Sequence, residues 1–230
     1  MFEKVNNKVV KVNLGAGPVL ARKGAMLFYN GNVSFVPANA GGMAGAMGAM
    51  QGGGMGAMMG AATRGMAGEN VVMMSAQGQG EVYYGLGGLY VTVVQLQGGT
   101  LVAEASSLLA HSANLQSSVV SLASQGGGGG GLRGMIRGAV TGQGMWTTQL
   151  SGHGSVVLLS HGGTIELMVR PGGGTVVDPQ AYVGHTGNVR LDLSANVGWR
   201  EAVGRGSGEA IQLKLDGDGV VYVQASEEKL

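Results

Sequence analysis

Cysteine is absent from this 230-residue chain, which excludes disulfides, thiolate metal sites and thiol catalysis. Proline is scarce at 4 residues, so the chain is neither collagen-like nor proline-rich. Charge is thin: Asp, Glu, Lys and Arg make up 12% of the chain, about half the usual ~25%. The 14 basic residues against 13 acidic ones leave a net charge of +1, which argues against a nucleic-acid surface or a polybasic membrane anchor. Aromatics are only 5%, and nucleic-acid stacking needs them beside cations. Trp199-Arg200 is one such pair, and Tyr83-Tyr84 is an aromatic doublet. No strongly apolar run reaches the roughly 18 residues of a membrane-spanning helix. The nearest candidate, the uncharged stretch from Gly24 to Thr63, turns into Gly, Ala and Met in its second half. The polar, mixed-charge opening from Met1 to Lys8 shows no secretory pattern, so cytoplasm is the expected compartment.

Glycine and valine are present in excess. Glycine contributes 47 residues, about three times the usual ~7%. Valine occurs 29 times against 3 isoleucines, a β-branched bias that favours strands. The pattern Gly-x-Gly-x-Val recurs four times, at Gly15/Gly17, Gly78/Gly80, Gly152/Gly154 and Gly217/Gly219. Alternating apolar residues flank each copy, which predicts short hairpins with structural turn glycines. Gly68-Glu69, Gly142-Gln143 and Gly208-Glu209 precede three copies. Gly98-Gly99-Thr100-Leu101-Val102 matches Gly173-Gly174-Thr175-Val176-Val177. These landmarks predict one all-β domain of three internal repeats, about 9–66, 67–140 and 141–206, plus a closing hairpin at 207–226. Roughly sixteen short strands are expected, forming a two-sheet barrel or sandwich, or a prism.

Two insertions interrupt this pattern. Residues 41–68 depart from Gly, Ala and Met only at Gln51, Thr63 and Arg64. Met43, Met47 and Met50, then Met55, Met58, Met59 and Met66, follow helical spacing. Gly52, Gly56 and Gly60 form a ridge of small residues that lets another helix approach. Residues 125–140 begin with Gln125 and six glycines, then place Leu132, Met135 and Ile136 at helical spacing. Each insertion predicts a glycine hinge with one short helix. Together their apolar residues form a candidate surface for assembly or for a protein partner. A membrane-surface helix would carry Lys or Arg opposite Trp, Phe or Leu, so peripheral lipid contact is the weaker reading.

Catalytic chemistry is poorly represented. A cupin-like metal site would want His-x-His with a Glu and a later His, and His111, His153, His161 and His185 are not so paired. His153, His161, Glu166 and His185 are the loose candidates. His153 occupies a position where the other repeats carry Ala16, Gln79 and Asp218, which is no pattern for an obligatory ligand. The glycines at 126–131 lack the Gly-Lys-Ser/Thr of a phosphate loop. Glu104, Glu166, Asp178 and Asp192 are isolated, while Glu69 and Glu209 recur with the repeat. The expectation is therefore no catalytic, metal or cofactor-binding residue, and no cofactor.

The order of the landmarks resembles the altered inheritance of mitochondria twenty-four family. The residues that carry the likeness are Gly24 to Val33, Gly68-Glu69, Gly78-Gln79-Gly80-Glu81-Val82, Gly162-Gly163-Thr164-Ile165 and Val177-Asp178-Pro179. The ending, Gly208-Glu209-Ala210-Ile211 and then Gly217 to Gln224, fits as well. The Gly/Met insertion departs from the family pattern, which is shorter and less biased there. The resemblance implies an all-β fold like the tryptophan RNA-binding attenuation protein, a short double-stranded β-helix variant that tends to form symmetric oligomers. It also implies, for eukaryotic relatives, a tie to mitochondrial inner-membrane organisation, and it carries over no catalytic residue.

The leading expectation is a non-enzymatic scaffold that self-assembles through strand edges or the Gly/Met segment. A ring that binds a ligand or RNA through Arg64, Arg133, Arg137, Arg200 and Arg205 is the alternative. The cupin-like metalloenzyme is the third reading.

Overall fold

A computed structural model describes residues 1–38, 71–121, 146–195 and 211–227. Among the described residues there are thirteen strands and two 3-10 turns, and the strands join one antiparallel sheet that does not close. The fold is all-β, as the composition and the glycine pattern predict. The chain runs through β1 (Phe2–Asn6), β2 (Val9–Asn13), β3 (Val19–Arg22), β4 (Met26–Pro37) and β5 (Met73–Tyr84). It continues through β6 (Tyr90–Glu104), β7 (Leu108–Ser112), β8 (Gln116–Ser121) and β9 (Trp146–Ser160). It ends with β10 (Thr164–Val169), β11 (Thr175–Val177), β12 (Tyr182–Ala195) and β13 (Ile211–Gln224).

Period-two patterning sets which face is buried. In β2, Val10 and Val12 are fully buried while Lys11 between them is only half-buried. In β13, Leu213 and Leu215 are buried and Lys214 is exposed. Removing each such Val or Leu from water stabilises the fold by roughly 1.5–3 kcal/mol, and the entropy of ordering the chain offsets much of the sum.

The pairing resolves into three equivalent units, each with a long central strand. β5 pairs with β4 on one side and with β2 and β3 on the other. β9 pairs with β6 on one side and with β7 and β8 on the other. β13 pairs with β12 on one side and with β10 and β11 on the other. In chain order each unit supplies an outer strand (β2–β3, β6, β10–β11), a second outer strand (β4, β7–β8, β12) and then its centre. The units therefore span 9–84, 90–160 and 164–224, and these boundaries differ from those expected from sequence. Residues 207–226 are not an extra hairpin but contain the centre of the third unit.

Three of the four Gly-x-Gly-x-Val motifs do not turn hairpins. Gly78/Gly80, Gly152/Gly154 and Gly217/Gly219 lie inside β5, β9 and β13, where the central strand bends and exchanges one neighbour for another. Their first glycines share one backbone state, with φ of 119°, 120° and 121°. The motif at Gly15/Gly17 belongs to an outer strand, in the 3-10 turn between β2 and β3. Six strands are therefore 12 to 15 residues long, and thirteen strands replace the expected sixteen.

Candidate functional site

Successive units meet at a joint that the chain uses twice. At the first joint β3 pairs with β7, through Val19↔Ser112, Leu20↔His111 and Ala21↔Ala110. At the second, β6 pairs with β12, through Leu101↔Thr186, Val102↔His185 and Ala103↔Gly184. Each joint sets the end of a unit's first outer strand against the start of the next unit's second outer strand. The approach is close: a Cβ on Gly184 would lie 2.7 Å from the Val102 carbonyl oxygen.

Each second outer strand carries a register shift at the same point, between Met26 and Phe28, Leu108 and Ala110, and Tyr182 and Gly184. The residues bulged out there are Leu27, Leu109 and Val183. A β-bulge of this kind re-aims a side chain. Leu109 is fully buried in the core cluster of the first unit, and Val183 in that of the second. The cores of the first and second units are therefore each capped by the unit that follows. Leu27, the first bulge, is 51% exposed, and its neighbour Phe28 is 52% exposed. Phe28 stacks on Tyr83, with ring centroids 4.1 Å apart. At the opposite end of the sheet, Ile165, Met168 and Val176 are exposed on β10 and β11. Among the described residues β4 pairs only with β5, and β10 and β11 pair only with β13. Both ends of the row of units thus present unpaired strands with exposed apolar side chains, a combination that marks interaction sites.

Buried and half-buried polar groups at the joints bind the units together. Arg22 donates from Nη2 to the Ala105 carbonyl oxygen across 2.9 Å, joining the first unit to the second. Burial lowers its pKa, and Glu104 pulls the other way. Glu104 accepts from Ser106 Oγ, and from the Ser107 amide at 3.1 Å, so it caps the 3-10 turn at Ala105–Ser107. Its charge and, above all, burial raise the Tyr182 hydroxyl pKa in the third unit. The Tyr182 hydroxyl and His185 Nδ1 share a hydrogen bond of 2.6 Å, and burial depresses the His185 pKa to about 4. His111, buried at the first joint, is lowered by the same cause.

The sequence-predicted residues fall in three places. Gly15, Gly17, Gly78, Gly80, Gly152, Gly154, Gly217 and Gly219 lie in the bends and the turn described above. Met43, Met47, Met50, Gly52, Met55, Gly56, Met58, Met59, Gly60 and Met66 lie outside the described residues, as do Leu132, Met135 and Ile136. Arg64, Arg133, Arg137, Arg200 and Arg205 lie outside them too. The loose metal candidates do not converge: among the described residues no three His, Cys, Asp or Glu side chains could hold a metal ion. His153 sits at the β9 bend, with Gly98 against its ring, and His185 is buried on β12. Sequence reading missed the apolar ends of the row. The signal available was Met26-Leu27, set beside Leu108-Leu109 and Tyr182-Val183 as equivalent doublets.

His153→Ala is expected to change stability by less than about 0.5 kcal/mol, the range of an ordinary surface substitution. Its carbonyl, which accepts from Asn114 Nδ2 at 2.8 Å, is kept. Chemical denaturation checks this, and a loss several times larger would give the ring a structural role.

The described residues contain no helix long and apolar enough to cross a membrane. In a comparison with solved structures, the chain is similar to the crystal structure of protein SPYM3_0169 from Streptococcus pyogenes, with 16% identity and a TM-score of 0.66. That match covers 98% of this chain and 92% of the other, and at such identity it speaks for the fold alone. A comparison with curated proteins returns no match. The family model described as mitochondrial biogenesis AIM24 matches residues 2–226, and the chain belongs to the AIM24 family.

Proposed function

We propose that this member of the AIM24 family is a non-enzymatic scaffold that self-assembles. The observation that carries the reading is β4, which among the described residues pairs on one side only and has Met26, Leu27, Phe28 and Tyr29 all exposed in succession. Natural edge strands are normally protected by charge, proline or cover, and this one has apolar side chains where protection would stand. The Gly/Met segment at 41–68 supports the same reading from sequence, as a second apolar surface for a sister subunit or another protein. Cytoplasm is the proposed compartment, with which a cysteine-free chain is compatible.

Light scattering behind a sizing column tests the proposal. A mass above that of one chain is expected at micromolar concentration, and a clean monomer would overturn the reading. A second variant assigns the role of 41–68. The strands on either side meet at Pro37↔Met74, and the Ala38 amide donates to the Met73 carbonyl oxygen across 2.9 Å. A short Gly/Ser loop can therefore span the gap. Replacing 41–68 in this way is expected to keep the circular dichroism of the β fold and to lower the assembled mass. Loss of the fold would make the segment part of the core, and an unchanged mass would make it a linker.

A further inference from the structure

The joint between units occurs twice within the chain and is left half-made at each end. Alignment on the central strands makes Val19, Leu101 and Thr175 equivalent, because they pair with Ala76, Leu150 and Leu215. Each of these partners lies two residues before the first glycine of its bend. Leu20, Val102 and Val176 follow as equivalents, as do Ala21, Ala103 and Val177. On the other side of the joint, Tyr29, His111 and His185 are equivalent, since they pair with Val82, Val156 and Val221. Among the described residues the first unit therefore has an unused second outer strand, and the third unit has an unused first one.

The cores show the same incompleteness. The cluster of the first unit includes Leu109, Ala110 and Val157 from the second. The cluster of the second unit includes Val183 and Tyr222 from the third. Among the described residues, the cluster of the third unit is made only of its own residues, such as Val177, Leu213 and Val221. The side chains equivalent to those caps are Leu27, Phe28 and Tyr83, at the far end of the molecule. Phe28 is bulkier than Ala110 or Gly184. Its ring lies flat on Tyr83 of the same unit, which places the pair over the position where Val157 and Tyr222 cap a core.

We propose that the missing cap is supplied by a second copy of this chain, with β4 of one protomer pairing with β11 of its neighbour. The register follows from the two joints already made: Asn30 opposite Thr175, Tyr29 opposite Val176 and Phe28 opposite Val177. Leu27 then enters the open end of the third core, as Leu109 and Val183 enter the first and second. The two surfaces differ, so the contact is heterologous and runs head to tail. It builds a ring if the rotation closes and an open array if it does not. This proposal rests on the self-assembly reading above and specifies the surface that performs it.

The test uses two variants of the full chain, Leu27→Lys and Val176→Lys. Both side chains are about half exposed, so each variant is expected to keep the parent circular dichroism and melting profile. Each alone is expected to be monomeric by light scattering. An equimolar mixture is expected to give dimers and nothing larger, because one protomer keeps a good β4 and the other a good β11. Variants that retain the parent mass, beside a parent that does assemble, would overturn this joint and leave self-assembly standing. A monomeric parent would overturn both. Monomeric variants whose mixture stays monomeric would overturn the head-to-tail contact, since complementary halves must rescue it.

Discussion

Gly80→Ala and Gly217→Ala are expected to leave little folded protein, although each adds a single methyl group. At Gly80 the new Cβ would stand 2.0 Å from the Asn30 carbonyl oxygen, and at Gly217 it would stand 2.1 Å from that of Asn188. Both obstacles are backbone atoms of the paired strand, so no side chain can rotate away. The φ angles, 151° and 121°, add conformational strain of roughly 1–3 kcal/mol for an L-residue. Overpacking adds about 1–3 kcal/mol more, and backbone obstacles put both sites at the upper end. The total, about 4–6 kcal/mol, is a large part of a typical 5–15 kcal/mol stability. Gly24→Ala is the control for strain alone: its φ is 85° and nothing lies within 4 Å of the added carbon. It should cost about 1 kcal/mol. Gly154→Val should fall between, since its Cβ would meet Ser112 Cβ at 3.0 Å and Leu115 Cγ at 3.1 Å. Denaturant midpoints order the four variants. A Gly217→Ala protein as stable as Gly24→Ala would show that the strands do not approach as closely as described.

The same glycines show what a sequence can and cannot tell. Gly-x-Gly-x-Val between apolar runs is expected to turn hairpins, and three of the four copies instead fall where a central strand bends. It could not distinguish a turn that reverses the chain from a bend that continues it, because both need glycine and both have strands on either side. The deciding residues lie on the facing strands. Gly31 faces Gly80 and Gly187 faces Gly219, each within an identical Gly-Asn-Val. A glycine opposite a glycine means that two backbones cross there, which a tight hairpin does not require. The second unit lacks this signature because its second outer strand is broken between β7 and β8. Gly152 accordingly meets only Leu115 Cδ2, at 3.5 Å.

The open ends were harder to read, for a physical reason. Met26-Leu27-Phe28-Tyr29 has the composition of a buried strand, and burial depends on whether a neighbouring unit arrives. Its equivalents, Leu108-Leu109 and Tyr182-Val183, have the same character and are covered. Position in the row, not composition, separates exposed from buried. The register of the repeat hid this as well. Pairing with the central strands aligns β4 with β7 and β12, an equivalence that the spacing of the glycine motifs does not show.

Acid is expected to destabilise the fold as pH falls below ~6.5, because the second joint buries a neutral histidine. His185 is 3% exposed, and burial holds its pKa at about 4 against an ordinary 6.5. With the ring neutral, Nδ1 shares a hydrogen bond with the Tyr182 hydroxyl, whose own proton burial retains. Above pH ~6.5 neither the folded nor the unfolded chain protonates this ring, and its contribution is complete. As pH falls below that point, the unfolded chain takes up a proton that the folded chain refuses until about pH 4. Stability therefore declines through this window, by about 3 kcal/mol at most for a gap of roughly 2.5 units at 1.36 kcal/mol each. His111, buried at the first joint and shifted in the same direction, steepens the decline. Unfolding free energies measured by denaturant at pH 7.5, 6 and 5, values chosen to bracket ~6.5, will show the slope. His185→Gln is expected to be less stable at pH 7.5 and to lose much of the slope, with the remainder assigned to His111. A stability flat from pH 7.5 to 5, or a slope unchanged in His185→Gln, would show that protons reach the joint without opening the row of units.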